Sequence, residues 1–184
     1  VCSSDLALDQ MPAGSVSANQ LLPLLASEEE ILQKTALWLF ERHPEMAKEM
    51  AGFLKTQLAK APGLSNDKRS ELKRQLAGFA HDPAVQQVMT DGLATEARAT
   101  RWLVFDAMAG SSIKKIPPDW TTAVQKELGG KDEAVARAAL DAAYAIGRAA
   151  KSKVFNTALL KLANDPKRPT ELRLKADAAV TRLP

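Results

Sequence analysis

Apolar residues along this chain recur every three or four positions through most of its length, and nowhere do they alternate strictly in twos. The clearest stretch is Lys131 to Arg148. There Val135, Ala139, Ala142, Ala143 and Ile146 fall at i, i+4, i+7, i+8 and i+11, one face of a helix with 3.6 residues per turn. Asp132 is placed to cap its start and Gly147 stands near its end. The face is built of small and β-branched residues, so this helix can lie close to neighbours on more than one side, as an inner helix of a stacked array must.

The same reading extends along the chain. Ser17 caps a short helix carrying Leu21, Leu22, Leu24 and Leu25, tightened or kinked at Pro23. Ser27 and Glu30 match a capping box that opens a second helix with Leu32, Ala36, Leu39 and Phe40 on its face. His43-Pro44 turns the chain into a third helix with Met46, Met50, Phe53, Leu54 and Leu58, ended by Pro62-Gly63. Ser65-Asn66-Asp67 caps a fourth, running through Leu72, Leu76, Phe79 and Ala80. His81-Asp82-Pro83 starts a fifth with Val85, Val88, Met89 and Leu93, and Thr95-Glu96 opens a sixth with Trp102, Leu103, Val104, Phe105 and Met108. After a loop over 111–118, a seventh runs from Asp119 to Leu128 and stops at Gly129-Gly130. The stretch above is the eighth. A ninth spans Lys153 to Ala163, and Asn164-Asp165-Pro166 leads to a tenth from Thr170 to Arg182.

Ten helices in five antiparallel pairs follow, and a repeat underlies them. The face of the eighth helix corresponds, 37 residues on, to Leu172, Ala176, Ala179, Val180 and Leu183, and 38 residues back to Ala97, Arg101, Val104, Phe105 and Met108. Helix-turn-helix units at this period are close to HEAT and armadillo arrays, so the expected fold is all-α: an α-solenoid of about five pairs in a right-handed superhelix. Arg101 stands where its counterparts are alanine, and the step between the second and third pairs is too short for the same register, which predicts a bend there. Phe105, Leu140, Ile146, Phe155, Leu172 and Val180 are the expected core. Trp38, Trp102 and Trp120 are expected to pack inside, with Trp120 partly exposed beside Pro117-Pro118.

Composition agrees with helices. Ala (32) and Leu (24) make up 56 of 184 residues, and aromatics only 5%. Such a length suits one globular domain or one short solenoid, expected over 16–184, with 1–15 a disordered or non-native lead-in that shows no pattern. The chain begins with Val and reads as a piece of something longer. Its single cysteine, Cys2, allows no intramolecular disulfide and no cysteine metal cage. No apolar run approaches the roughly 18 residues of a membrane span.

The net charge of +3 hides an asymmetry: residues 1–94 hold nine Lys/Arg against twelve Asp/Glu, and residues 95–184 sixteen against ten. A basic half attracts nucleic acid, anionic lipid or an acidic protein, but on helical repeats such charges usually form the solvated face. Basic positions recur on the second helices of the last three pairs. Arg98, Arg137, Arg148, Arg173 and Lys175 are the candidate docking surface, and aligned on one side they would make a phosphate-reading groove, although Asp106, Asp141, Asp165, Glu171 and Asp177 interrupt them. A carboxylate at Asp106, Asp141 or Asp177 beside Arg101 or Arg137 could serve acid–base work, but such a pair more often bridges adjacent repeats. His43 and His81, the only histidines, fall in turns without ligand-spaced partners. No phosphate-cradling glycine loop and no nucleophile elbow is present, so no catalytic, cofactor-binding or metal-ligating residue is assigned.

Several motifs carry a family resemblance. Asp132 to Leu140, and Asn164-Asp165-Pro166 through Thr170 to Ala176, look like HEAT repeats, with Asp or Asp-Pro at the interhelical turn, then Val/Leu-Arg, then small residues. More narrowly, Thr35-Ala36-Leu37-Trp38 followed by His43-Pro44-Glu45, Ile116-Pro117-Pro118-Asp119-Trp120, and Pro169 to Leu174 resemble the HEAT region of large bacterial membrane-bound dehydrogenase-like proteins with a c-type haem. That resemblance implies an exported or periplasmic parent with a sugar-dehydrogenase-like β-propeller before the repeats and a CxxCH haem domain after them. Neither a CxxCH motif nor a propeller pattern occurs here, so it transfers no functional residue and implies no cofactor for this segment. The expected role is a non-catalytic scaffold or spacer that meets protein, either adjacent domains of the parent chain or a docking partner. A nucleic-acid-binding or DNA-repair protein and a freestanding protein-interaction adaptor are the alternatives.

Overall fold

The computed structural model describes residues 16–43 and 46–183. The lead-in with Cys2, and Pro44 of the expected turn, lie outside them. The described residues are all-helical, in ten helices: α1 (Ala18–Leu25), α2 (Glu30–Arg42), α3 (Ala47–Ala59), α4 (Asn66–Gly78), α5 (Pro83–Leu93), α6 (Arg98–Gly110), α7 (Pro118–Leu128), α8 (Glu133–Ala149), α9 (Asn156–Asn164) and α10 (Thr170–Arg182). A 3-10 turn, Ala61–Gly63, follows α3. Contacts divide the chain into two compact units between Thr56 and Gln57.

The starts of these helices follow their capping chemistry. Gln20 Oε1 accepts from the Ser17 backbone N–H at 2.9 Å and from its hydroxyl at 3.0 Å, fixing the first turn of α1. Asp82 accepts from Ala84 N at 2.7 Å and Val85 N at 3.3 Å, with Pro83 filling the first helical position. Asp132 does the same for Ala134 and Val135 at 3.1 and 3.2 Å. The Ser27/Glu30 capping box does not form. Ser27 Oγ accepts from Glu29 N at 3.1 Å, so the hydroxyl closes a local turn and α2 starts two residues later than the motif suggests. Likewise Thr95 does not open α6. Its hydroxyl donates to Gly92 O at 3.0 Å, closing α5, and α6 begins at Arg98. Gly147 is not the stop of α8 either. A Cβ there would lie 3.0 Å from Leu183 Cδ2 and 3.3 Å from Ser152 O, so glycine permits close approach, while the reversal falls at Lys151, φ 51°.

In the unit before Gln57, α1 packs on α2, with Leu21, Leu25, Ala36 and Leu39 buried. In the unit from Gln57 on, the second helices α4, α6, α8 and α10 touch in succession, as do the first helices α5, α7 and α9. Within the last three pairs each second helix also packs on its own first helix. All five face positions of α8 named from the sequence are fully buried. Phe105, Leu140, Ile146, Phe155 and Leu172 are buried as expected, but Val180 is only half-buried, on a flank of α10 that no further described helix covers.

The tryptophans reverse their expected order. Trp120 is fully buried and Trp38 and Trp102 are 38% and 42% exposed. Trp102 belongs to an apolar run, Trp102 to Phe105, but sits half a turn away from Thr100, Val104 and Ala107, which face the core. Its position around the helix, and not the hydrophobicity of its neighbours, decides its burial.

Candidate docking surface

The helices α6, α8 and α10 carry the cations singled out from the sequence, and the structure places nearly every one against a partner. Arg98 Nε lies 2.9 Å from Asp132 Oδ2, the cap of α8. Arg137 forms a two-pronged pair with Glu171 on α10, one arm at 3.2 Å. Lys175 Nζ reaches back from α10 to Asp141 at 2.7 Å, and Lys73 of α4 meets Asp106 of α6 at 2.9 Å. Arg173 Nε donates to the Ala163 carbonyl at 3.0 Å, pinning the start of α10 to the end of α9. Arg148 is exposed, its guanidinium 5.6 Å above the Tyr144 ring. The five candidate positions therefore share one set of helices but do not form an open cationic groove.

Asp106 and Asp141 pair with lysines of other helices, Lys73 of α4 and Lys175 of α10, and not with Arg101 or Arg137. Arg101 turns instead to Glu127 on α7 at 3.1 Å, both side chains largely buried, and its Nε makes no hydrogen bond among the described residues. That explains an arginine where the corresponding positions are alanine: it spans to the neighbouring first helix. Asp177 is exposed and in no ion pair among the described residues.

The hydrogen bonds and charge of Arg137 hold the Glu171 carboxyl below its ordinary value, and Glu171 in turn raises the Arg137 guanidinium. Between α8 and α10 lies a hollow of about 240 Å³ lined by Leu140, Tyr144, Ala178 and Ala179, with Lys175 and Arg182 at its edge. Trp102 and Tyr144 are the aromatic groups that this surface offers, and neither was singled out from the sequence as part of it. Their signal was present, since each stands one turn from a charged residue of the exposed stripe, Arg98 and Arg148 respectively. Among the described residues no group of three or more His, Cys, Asp or Glu is placed to hold a metal, and no helix is long and apolar enough to cross a membrane. In comparisons with protein families, curated proteins and solved structures, this chain found no match.

Proposed function

We propose that this chain is a non-catalytic HEAT-like α-solenoid, a semi-rigid scaffold or spacer whose exposed helix faces dock protein. The observation that carries the reading is the series of ion pairs between successive second helices: Lys73–Asp106, Arg98–Asp132, Arg137–Glu171 and Asp141–Lys175. Each ties one helix pair to the next, the nearest-neighbour coupling by which a solenoid holds its shape. The same pairs weigh against a phosphate-reading groove, because nucleic acid would have to displace a carboxylate at nearly every step. Following the family resemblance, the scaffold would hold a catalytic domain and a haem domain of an exported electron-transfer protein at a fixed separation, in a right-handed superhelical stack.

The test uses the purified chain. It should show no haem absorbance after reconstitution, no dye-linked dehydrogenase activity, and no retention on a DNA column at about 0.15 M salt. Haem binding or dehydrogenase activity would overturn the scaffold. Retention that falls steeply with salt would move the assignment to the nucleic-acid alternative.

A further inference from the structure

Two adjoining hollows, of about 470 and 590 Å³, lie around the loop between α6 and α7 and share His81, Ser112 and Ile113 in their walls. Lys73 and Arg74 line one and Lys114 and Lys115 the other, and no carboxylate lines either. Lys73 and Arg74 are paired, with Asp106 and Glu71. Lys114 and Lys115 are exposed and in no ion pair among the described residues, in contrast to the paired cations of the second helices.

The loop itself is held in place. Ser111 donates twice to the Met108 carbonyl, from its N–H at 3.1 Å and its hydroxyl at 2.7 Å, and Ile113 is buried. At the far end Trp120 anchors α7 to the Gln86 carbonyl. Between these anchors no backbone N–H from Ser112 to Ile116 donates to another group among the described residues. A fixed loop thus presents free backbone donors between lysines, over a floor that includes Ile113 and Pro117.

We propose that this cleft docks an extended acidic segment of a partner protein. Such a segment supplies carboxylates for Lys114, Lys115 and the imidazole of His81, and its own backbone carbonyls answer the free N–H groups, the mode by which an extended peptide adds along an exposed edge. An apolar side chain between its acidic residues meets Ile113 and Pro117. Nucleic acid fits less well: two free lysines neutralise few phosphates, and His81, the one aromatic group in the cleft, already stacks on Phe79, ring centroids 6.5 Å apart. Lys73, in the wall of one hollow, also belongs to the second-helix ion pairs, but Lys114, Lys115 and His81 do not, and docking through them would survive the loss of the spacer role proposed above.

The experiment is fluorescence anisotropy on the full chain with a dye-labelled peptide of alternating glutamate and valine. Saturable, salt-sensitive binding is expected. The variant K114E/K115E should weaken it about tenfold or more, while K126E/K131E, the same charge change at positions that line neither hollow, should alter it less than about twofold. A glutamine-for-glutamate peptide should bind wild type about tenfold more weakly, a readout independent of any variant's folding. Absence of saturable binding, equal losses in the two variants, or tighter binding by a dye-labelled oligothymidylate that displaces the peptide would each overturn the proposal.

Discussion

Replacing Trp120 by alanine tests the register of the whole second unit. Trp120 has no exposed surface and lies on α7, which packs against α5, α8 and α9. Its Nε1 donates to the Gln86 carbonyl of α5 at 3.4 Å, long for such a bond, so packing and not hydrogen bonding should set the cost. A buried tryptophan removes roughly 150–250 Å² from water, and at about 25 cal/mol per Å² its transfer is worth about 4–6 kcal/mol as an upper bound. Truncations of this kind usually cost about 3–5 kcal/mol, the range expected here. Trp102→Ala, in the same unit but on the solvent side of α6, should cost less than about 1 kcal/mol. Trp120→Phe isolates the donor, and since the Gln86 carbonyl also accepts from Thr90 Oγ1 at 2.9 Å, it leaves no orphaned acceptor. Its cost should therefore be lost volume alone, about 1–2 kcal/mol. Urea unfolding followed by far-UV circular dichroism gives the three midpoints. Equal destabilisation by Trp120→Ala and Trp102→Ala would refute the assignment of these helix faces.

Three further outcomes follow from local geometry. A Cβ at Gly92 would lie 2.7 Å from Leu58 Cδ2 and 3.1 Å from Val104 Cγ2, so Gly92→Ala should destabilise, because overpacking of about 1–3 kcal/mol exceeds a helix gain of at most about 1 kcal/mol; at Gly52 nothing lies within 4 Å, and Gly52→Ala should stabilise by about 0.5–1 kcal/mol in the same melts. Lys151 adopts a left-handed backbone, φ 51°, at the end of α8, and Lys151→Gly should raise stability by up to about 1 kcal/mol in thermal unfolding. Glu171 has a lowered carboxyl pKa, so its pairing adds stability above the unfolded-state value and loses it as pH falls through the folded-state value. Glu171→Gln should therefore weaken the protein slightly at neutral pH, and the unfolding midpoints of variant and wild type should converge in strong acid.

Much of the fold was legible because helix periodicity and capping residues act locally. The face of α8, the caps at Ser65, Asp82 and Asp132, and the burial of Phe105 and Phe155 needed no knowledge of partners. What failed depended on position around a helix or on geometry between elements. Trp102 opens an apolar run and Trp120 stands between Asp119 and Thr121, so immediate neighbours mislead and the angle around the helix decides. Ser27 and Thr95 each had another local acceptor or donor within two or three residues, and the backbone took it. The cations lie on α6, α8 and α10, but their neutralisation depends on which carboxylate a neighbouring helix brings opposite. The cleft at Lys114 and Lys115 was not legible at all, since His81 and Ser112 meet across more than thirty residues of chain.

The polarity of the pairs between α8 and α10 bears on how these two helices align. On α8 a cation, Arg137, precedes an anion, Asp141, by one turn, and on α10 an anion, Glu171, precedes a cation, Lys175, by one turn. In register, both pairs attract across 34 residues of sequence. If α10 slipped by a turn in one direction, Arg137 would face Lys175; in the other, Asp141 would face Glu171. Exposed pairs of this kind add little, too little to hold the helices together; their association rests on buried positions such as Leu140, Ile146 and Leu172. The space between α8 and α10 is walled by Leu140 and Tyr144 as well as Ala178 and Ala179, and the charges add a register-dependent contribution to that packing. A one-turn slip loses both attractions and gains a repulsion, which widens the difference between the correct alignment and a slipped one beyond the lost attractions alone. The charges therefore act on which alignment forms more than on how stable it is, a use that leaves few of these cations available for an anionic ligand.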